Sequence, residues 1–194
     1  MSALVLASTS PSRKLMLANA GVPFEAVAPL VDEDAAKTSL EGLSPRDLAD
    51  ALAELKARKV SASRPGDLVL GCDSVVALDD GTRIDKPGEN LAAQLRKMSG
   101  RTHRLHSAAV VCENGQPVWR AVEVATMHVR PLSDAFIAQY VASDPDAQWC
   151  AGGYRIEGPG SQLFSKVDGS WFAIMGLPLL PLLAWLRARG VLTS

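Results

Sequence analysis

Apolar residues fall in short blocks along this chain, and the polar residues between them act as punctuation. Leu4-Val5-Leu6-Ala7 is an unbroken apolar run of strand length. Ser8-Thr9-Ser10-Pro11 follows, with Ser10 placed to cap a helix and Pro11 to fill its first turn. That helix continues through Arg13, Leu15, Met16 and Leu17 and stops at Gly21. Residues 24–28 read as a second strand, and residues 31–44 as an acidic, irregular stretch containing Asp32-Glu33-Asp34. Ser44-Pro45 opens a second helix, with Leu48, Leu52 and Leu55 on one face and Lys56 and Lys59 near its end.

Residues 67–77 are the most strand-like segment and lead into the turn Asp79-Asp80-Gly81. Residues 90–98 predict a helix closing at Gly100. Residues 104–112 and 118–129 predict a hairpin around Glu113-Asn114-Gly115. Ser133-Asp134 caps a helix that ends near Ser143, and residues 150–160 form a glycine-rich loop. Residues 164–167 and 171–175 flank Asp168-Gly169 as a second hairpin, before a last helix over 178–189. The order β-α-β-α-β-β-α-β-β-α-β-β-α predicts one α/β domain over residues 1–194, built on a mixed sheet flanked by helices.

Composition narrows the function classes. The chain has 194 residues, 20 Lys+Arg against 21 Asp+Glu and a net charge of −1, so it lacks the basic excess of a protein that grips nucleic acid electrostatically. Aromatic residues at 5% are too few for base-stacking platforms. The N-terminus lacks the charge order of a signal peptide. The apolar stretch 171–186 is interrupted by Pro178 and Pro181 and is shorter than the roughly 20 residues a bilayer requires. It is expected to be a core strand, a turn and a buried helix. Cys72, Cys112 and Cys150 have no metal-binding spacing and are expected to be buried free thiols in a reducing cytoplasm.

Four segments carry candidate chemistry. The strand-to-helix junction 7–13 places hydroxyls and Arg13 at a helix N-terminus, where phosphate binds readily. Asp73 sits inside an apolar strand run, a costly position for a carboxylate unless it is paired, binds a metal or acts as a base. Glu33 could supply a second oxygen ligand, and Lys86, before Pro87, could project a point charge towards phosphate. The glycines of 152–160 could let the backbone approach a ligand closely. His103, His106 and His128 have no zinc spacing and are expected to have structural or surface roles.

LASTSPSRK at 6–14, GCDS at 71–74, DKP at 85–87, SGRTH at 99–103, AGGYRIEGPG at 151–160 and GLPL at 176–179 occur in that order. Together they resemble the Maf family of septum-formation-inhibitor-like proteins. The resemblance implies a cytoplasmic nucleoside triphosphate pyrophosphatase that cleaves between the α- and β-phosphates. It also implies two lobes with a central cleft, similar to inosine triphosphate pyrophosphatases, and a homodimer. By position, Asp73 would accept the proton. Ser8, Ser10, Arg13, Lys56 and Lys86 would contact phosphates, and Glu33 with Asp73 would hold Mg²⁺ or Mn²⁺.

Ser12, Ser74 and Glu157 occupy the positions that separate the family's branches. The thymidine/uridine branch has Arg, Thr and Gln there, and the 7-methylguanosine branch has Trp, Gln and Glu. Glu157 alone matches, and only with the second branch. An ionised Glu offers only acceptors, which suits the two adjacent donors of guanine. The expected substrate therefore has a guanine-type base, with dTTP and UTP as the alternative. A regulator of cell division that binds nucleotide without cleaving it is the non-enzymatic alternative.

Overall fold

The computed structural model describes residues 4–193. Seven strands form one mixed sheet: β1 (Leu4–Ala7), β2 (Glu25–Val27), β3 (Leu68–Leu78), β4 (Arg83–Ile84), β5 (Thr102–Glu113), β6 (Gln116–Val129) and β7 (Phe164–Asp168). Their order is β2-β1-β3-β5-β6-β7, with β4 on β3. β1 pairs in parallel with β2 and β3, and the other pairings are antiparallel. Parallel neighbours need crossover helices. α1 (Pro11–Asn19) joins β1 to β2, and α2 (Glu33–Ser39) with α3 (Pro45–Ser61) joins β2 to β3. The β5–β6 hairpin turns at Asn114-Gly115, both with positive φ, as a two-residue turn in a twisted hairpin requires.

The expected caps form. Ser10, Ser44 and Ser133 each accept a hydrogen bond from the backbone N–H three residues on. Helices α4 (Leu91–Met98), α5 (Asp134–Ser143) and α7 (Leu179–Ala188) lie close to their expected positions.

Three expectations fail. The acidic stretch is not irregular throughout, because α2 forms inside it. Asp32 caps Ala35 N–H at 3.0 Å, and Glu33 and Asp34 occupy the first turn, where their charges favour the helix dipole. The second hairpin does not exist either. Ser170 accepts a bond from Ala173 N–H and starts a short helix, α6 (Trp171–Ile174), since an apolar run this short carries no period to separate helix from strand. Finally, Leu55 is exposed and Lys56 is buried, so the inward face of α3 runs through Leu48, Leu52, Ala53, Lys56, Ala57 and Val60.

The core divides into lobes. In one, Leu4, Leu6 and Leu70 pack with Leu17 of α1 and Leu182 and Leu186 of α7. In the other, Val76 and Leu78 pack with Leu95 and Met98 of α4, Met127 of β6 and Tyr140 of α5. β3 runs through both. β1 covers its edge from Leu68 to Gly71 and β4 covers Val76 and Ala77, which leaves residues 72–75 without a strand partner on that side. This gap lies just past the C-terminal end of parallel strand β1, where open α/β sheets place their ligand crevices.

Candidate active site

A cavity of about 930 Å³ opens along this gap and is lined from both lobes. Asp73 and Gly71 share the face of β3 that α3 covers, and Gly71 lets the helix settle onto the strand. The next inward position of α3, Lys56, therefore arrives beside Asp73. Lys56 Nζ lies 2.6 Å from Asp73 Oδ1 and 2.8 Å from Glu33 Oε1. Lys56 is 5% and Asp73 7% exposed, so both are buried charges that depend on one another. Two of the three ammonium protons are engaged, which leaves one for the cleft. Asp73 Oδ2 has no protein partner among the described residues. Burial alone would raise the pKa of the Glu33 carboxyl. The hydrogen bond from Lys56 and the charges of Lys56, Lys86 and Lys37 outweigh that and hold it below its ordinary value.

Arg13, one turn into α1, is fixed from three directions. Its Nε donates to the Gly176 carbonyl at 2.8 Å, Nη2 to Ser74 Oγ at 3.2 Å and Nη1 to Ser8 Oγ at 3.4 Å. Ser8 Oγ also accepts from Ser10 N–H at 3.2 Å. With both lone pairs engaged, the Ser8 hydroxyl proton is left to donate. Ser10 caps α1 and lines the cleft beside it. Lys86 is exposed, lies just after β4 and also lines the cavity. Ser12 Oγ donates to Glu157 Oε1 at 3.4 Å, joining two positions 145 residues apart. All the site residues expected from sequence thus meet in one cleft: Ser8, Ser10, Ser12, Arg13, Glu33, Lys56, Asp73, Ser74, Lys86 and Glu157.

Other residues join them without a sequence signal of their own. Lys37 of α2 pairs with Asp85 at 2.5 Å and straps α2 to the segment carrying Lys86. Arg83, Trp149, Tyr154 and Arg155 also line the cavity. Arg155 is anchored by the fully buried Asp144, with Nε 3.2 Å from Oδ2.

The glycine-rich loop differs from expectation. Its cleft-facing residues are Cys150, Ala151, Tyr154, Arg155, Ile156 and Glu157, while its glycines face protein. A Cβ on Gly160 would stand 2.4 Å from the Arg155 carbonyl oxygen, and one on Gly153 would stand 2.6 Å from Leu91. The glycines let the loop fold on itself and on α4, and this sets the position of Glu157.

The histidines stay outside the cleft lining. His103 is fully buried with Nε2 2.8 Å from the Tyr154 hydroxyl, and burial pushes its pKa down to about 4. Cys72 and Cys112 are buried free thiols, both with pKa pushed up to about 11 by burial. Cys150 is only half-buried and lines the cleft. Among the described residues, no helix is long and apolar enough to cross a membrane.

The family model described as Maf-like protein matches residues 3–189. The chain belongs to the Maf-like family. This Maf-like chain is 52% identical over 193 residues to a protein named nucleoside triphosphate pyrophosphatase from Sphingopyxis alaskensis, covering 97% of this chain and 98% of that one. It is 51% identical to a protein of the same name from Caulobacter vibrioides, covering 98% and 97%. It is 48% identical to a 7-methyl-GTP pyrophosphatase from Mesorhizobium japonicum, covering 97% of each. Among solved structures, a HAM1 protein from Coxiella burnetii is similar at a TM-score of 0.43 and 17% identity, covering 66% of this chain and 73% of that one.

Proposed function

We propose that this Maf-like chain is a nucleoside triphosphate pyrophosphatase, releasing a nucleoside monophosphate and pyrophosphate. The observation that carries the reading is the convergence of Asp73, Lys56 and Glu33 in the cleft between the lobes, within one cavity with Arg13, Ser8 and Lys86. The full-length relatives named for this activity support it.

In this mechanism a water molecule attacks the α-phosphorus and gives its proton to Asp73 Oδ2. A new P–O bond forms and the bond to the bridging α–β oxygen breaks, with the electron pair leaving on pyrophosphate. Arg13, held by Gly176, Ser74 and Ser8, and the remaining Lys56 proton steady the charge on the phosphoryl oxygens. Ser8 has its proton to donate there, and Lys86 meets the leaving pyrophosphate.

Glu33 and Asp73 both lie within 2.8 Å of the Lys56 ammonium, so their oxygens converge on one region. That oxygen-only donor set fits Mg²⁺ or Mn²⁺, with substrate phosphates and water completing the coordination. The bound cation would neutralise phosphate charge. A triphosphate carries about −4, and a divalent cation with three basic side chains supplies about +5, of which two carboxylates cancel about 2.

The base reading is guanine-type, including 7-methylguanine. Glu157 offers only acceptors, and because Ser12 donates to it, the Ser12 hydroxyl has no proton left for a ligand. Uracil and thymine present carbonyls on either side of one N–H and fit such a surface poorly. A homodimer in the cytoplasm belongs to the same reading. The exposed Leu15, Trp171 and Leu180, beside an apolar groove between α1, α6 and α7, offer a surface for the second copy.

A panel of GTP, 7-methyl-GTP, UTP and dTTP, assayed for pyrophosphate release with Mg²⁺ and Mn²⁺, tests the proposal. Metal-dependent release with guanine nucleotides preferred is expected. Preference for UTP and dTTP would overturn the base reading. Nucleotide binding without release would leave only the regulator.

A further inference from the structure

Ser107 of β5 lies directly opposite Ser74 in the β3–β5 register and is fully buried. Its hydroxyl donates to the Ala173 carbonyl at 2.6 Å, and its Oγ is 3.0 Å from Ser74 Oγ. A carbonyl can only accept, and a hydroxyl has one proton. Ser107 therefore gives its proton to Ala173, and Ser74 is the donor in the bond the two serines share. Ser74 then has none left. At its 3.2 Å contact with Arg13 Nη2 the Ser74 oxygen accepts, and it shows the cleft only a lone pair.

We infer that Ser107 is a positioning residue for base recognition. Through one buried hydrogen bond it locks Ser74 as an acceptor, so this wall of the cleft takes a nucleobase presenting N–H groups and rejects one presenting a carbonyl there. The inference rests on the pyrophosphatase reading for the ligand being a nucleotide, and on the family's branch positions for Ser74 facing its base. It deepens that reading because Ser74 now acts in the same sense as Ser12 and Glu157, which also present acceptors. A free serine hydroxyl rotates to suit either kind of group, so serine at position 74 would not discriminate by itself. The selectivity comes from its buried neighbour and the Ala173 carbonyl of α6. A carbonyl brought against the locked oxygen leaves two acceptors facing each other, and an unpaired buried polar group is costly.

Ser107→Ala and the near-isosteric Ser107→Cys, a far poorer donor and acceptor, both release Ser74, whereas Ser107→Thr keeps the hydroxyl. The dissociation constants of the α,β-methylene analogues of GTP and UTP, which resist cleavage at the relevant bond, are measured by calorimetry for each variant. In Ser107→Ala and Ser107→Cys the preference for the guanine analogue is expected to fall about tenfold, the size of one hydrogen bond. In Ser107→Thr it is expected to stay within about twofold of the parent. An unchanged preference in both releasing variants, or an equal weakening of both analogues, overturns the role of Ser107. Pyrophosphate release from GTP and UTP by the parent protein is measured separately. Its absence would remove the pyrophosphatase reading while the binding preference still decides the inference.

Discussion

Gly71 and Ala53 approach so closely that a Cβ on Gly71 would stand 2.1 Å from the Ala53 carbonyl oxygen and 2.6 Å from Ala57 N. Strand β3 and helix α3 are thus in backbone contact, and this contact sets how far Lys56 reaches towards Asp73. Gly71→Ala forces backbone to move against backbone, which no side-chain rotation relieves. The expected outcome in urea unfolding is a loss of about 3 kcal/mol, at the upper end for an overpacked core. Pyrophosphate release is expected to fall as well, because the displaced helix carries Lys56 away.

Asp73→Asn removes the proposed proton acceptor but keeps an oxygen able to accept from Lys56, which stays paired with Glu33. Pyrophosphate release should drop by about 10²- to 10⁴-fold. Circular dichroism should show the fold retained. Normal turnover in a folded Asp73→Asn protein would exclude the assigned role.

Metal binding should depend on nucleotide. Two carboxylates that already share Lys56 make an incomplete site, so Mg²⁺ alone should raise Tm little. Mg²⁺ with an α,β-methylene triphosphate should raise it far more, a ligand at a hundredfold its Kd adding about 2.7 kcal/mol. Glu33→Gln should abolish the metal-dependent part of that rise in a thermal-shift assay. A full Mg²⁺ effect without nucleotide would contradict the proposed coordination.

Glu157→Gln exchanges an acceptor-only side chain for one with a donor beside an acceptor. The ratio of kcat/KM for GTP over UTP should fall at least about tenfold. If Glu157 lies outside the base contact, both nucleotides should keep their relative rates.

His103 should make stability depend on pH well away from the site. Its folded pKa, about 4, lies below the ordinary value of 6.5, because burial disfavours the cation. Between those values the unfolded chain binds a proton that the folded chain does not. Stability is therefore full above about pH 6.5 and declines as pH falls towards 4, by an amount of order 3 kcal/mol. Urea titrations at pH 7 and pH 4.5 should show that decline diminished in His103→Gln.

What could be read along the chain was whatever local chemistry specifies. The strand runs other than 171–175, the serine caps at 10, 44 and 133, and the Asn114-Gly115 turn depend on neighbours a few residues away, and these formed as expected. The family motifs also named the residues that meet in the cleft. Where only long-range contacts decide, local reading failed. Residues 171–174 have no periodicity and became helix on the cap from Ser170. Leu55, expected on the apolar face of α3, is exposed, and Lys56 takes an inward position because Asp73 and Glu33, from other elements, supply it with partners inside. The glycines of 152–160 suggested a ligand, yet their near neighbours are the side chains of Tyr154 and Leu91 and the backbone of Arg155.

The sequence by itself determined the alternation of strand and helix and the identity of the charged and hydroxyl groups. Only the tertiary structure decided which hydroxyls keep a proton to donate, Ser8 doing so and Ser74 and Ser107 not. The physical reason is that a serine carries one proton and two lone pairs everywhere, and which of them faces a ligand depends on partners that folding brings from distant parts of the chain.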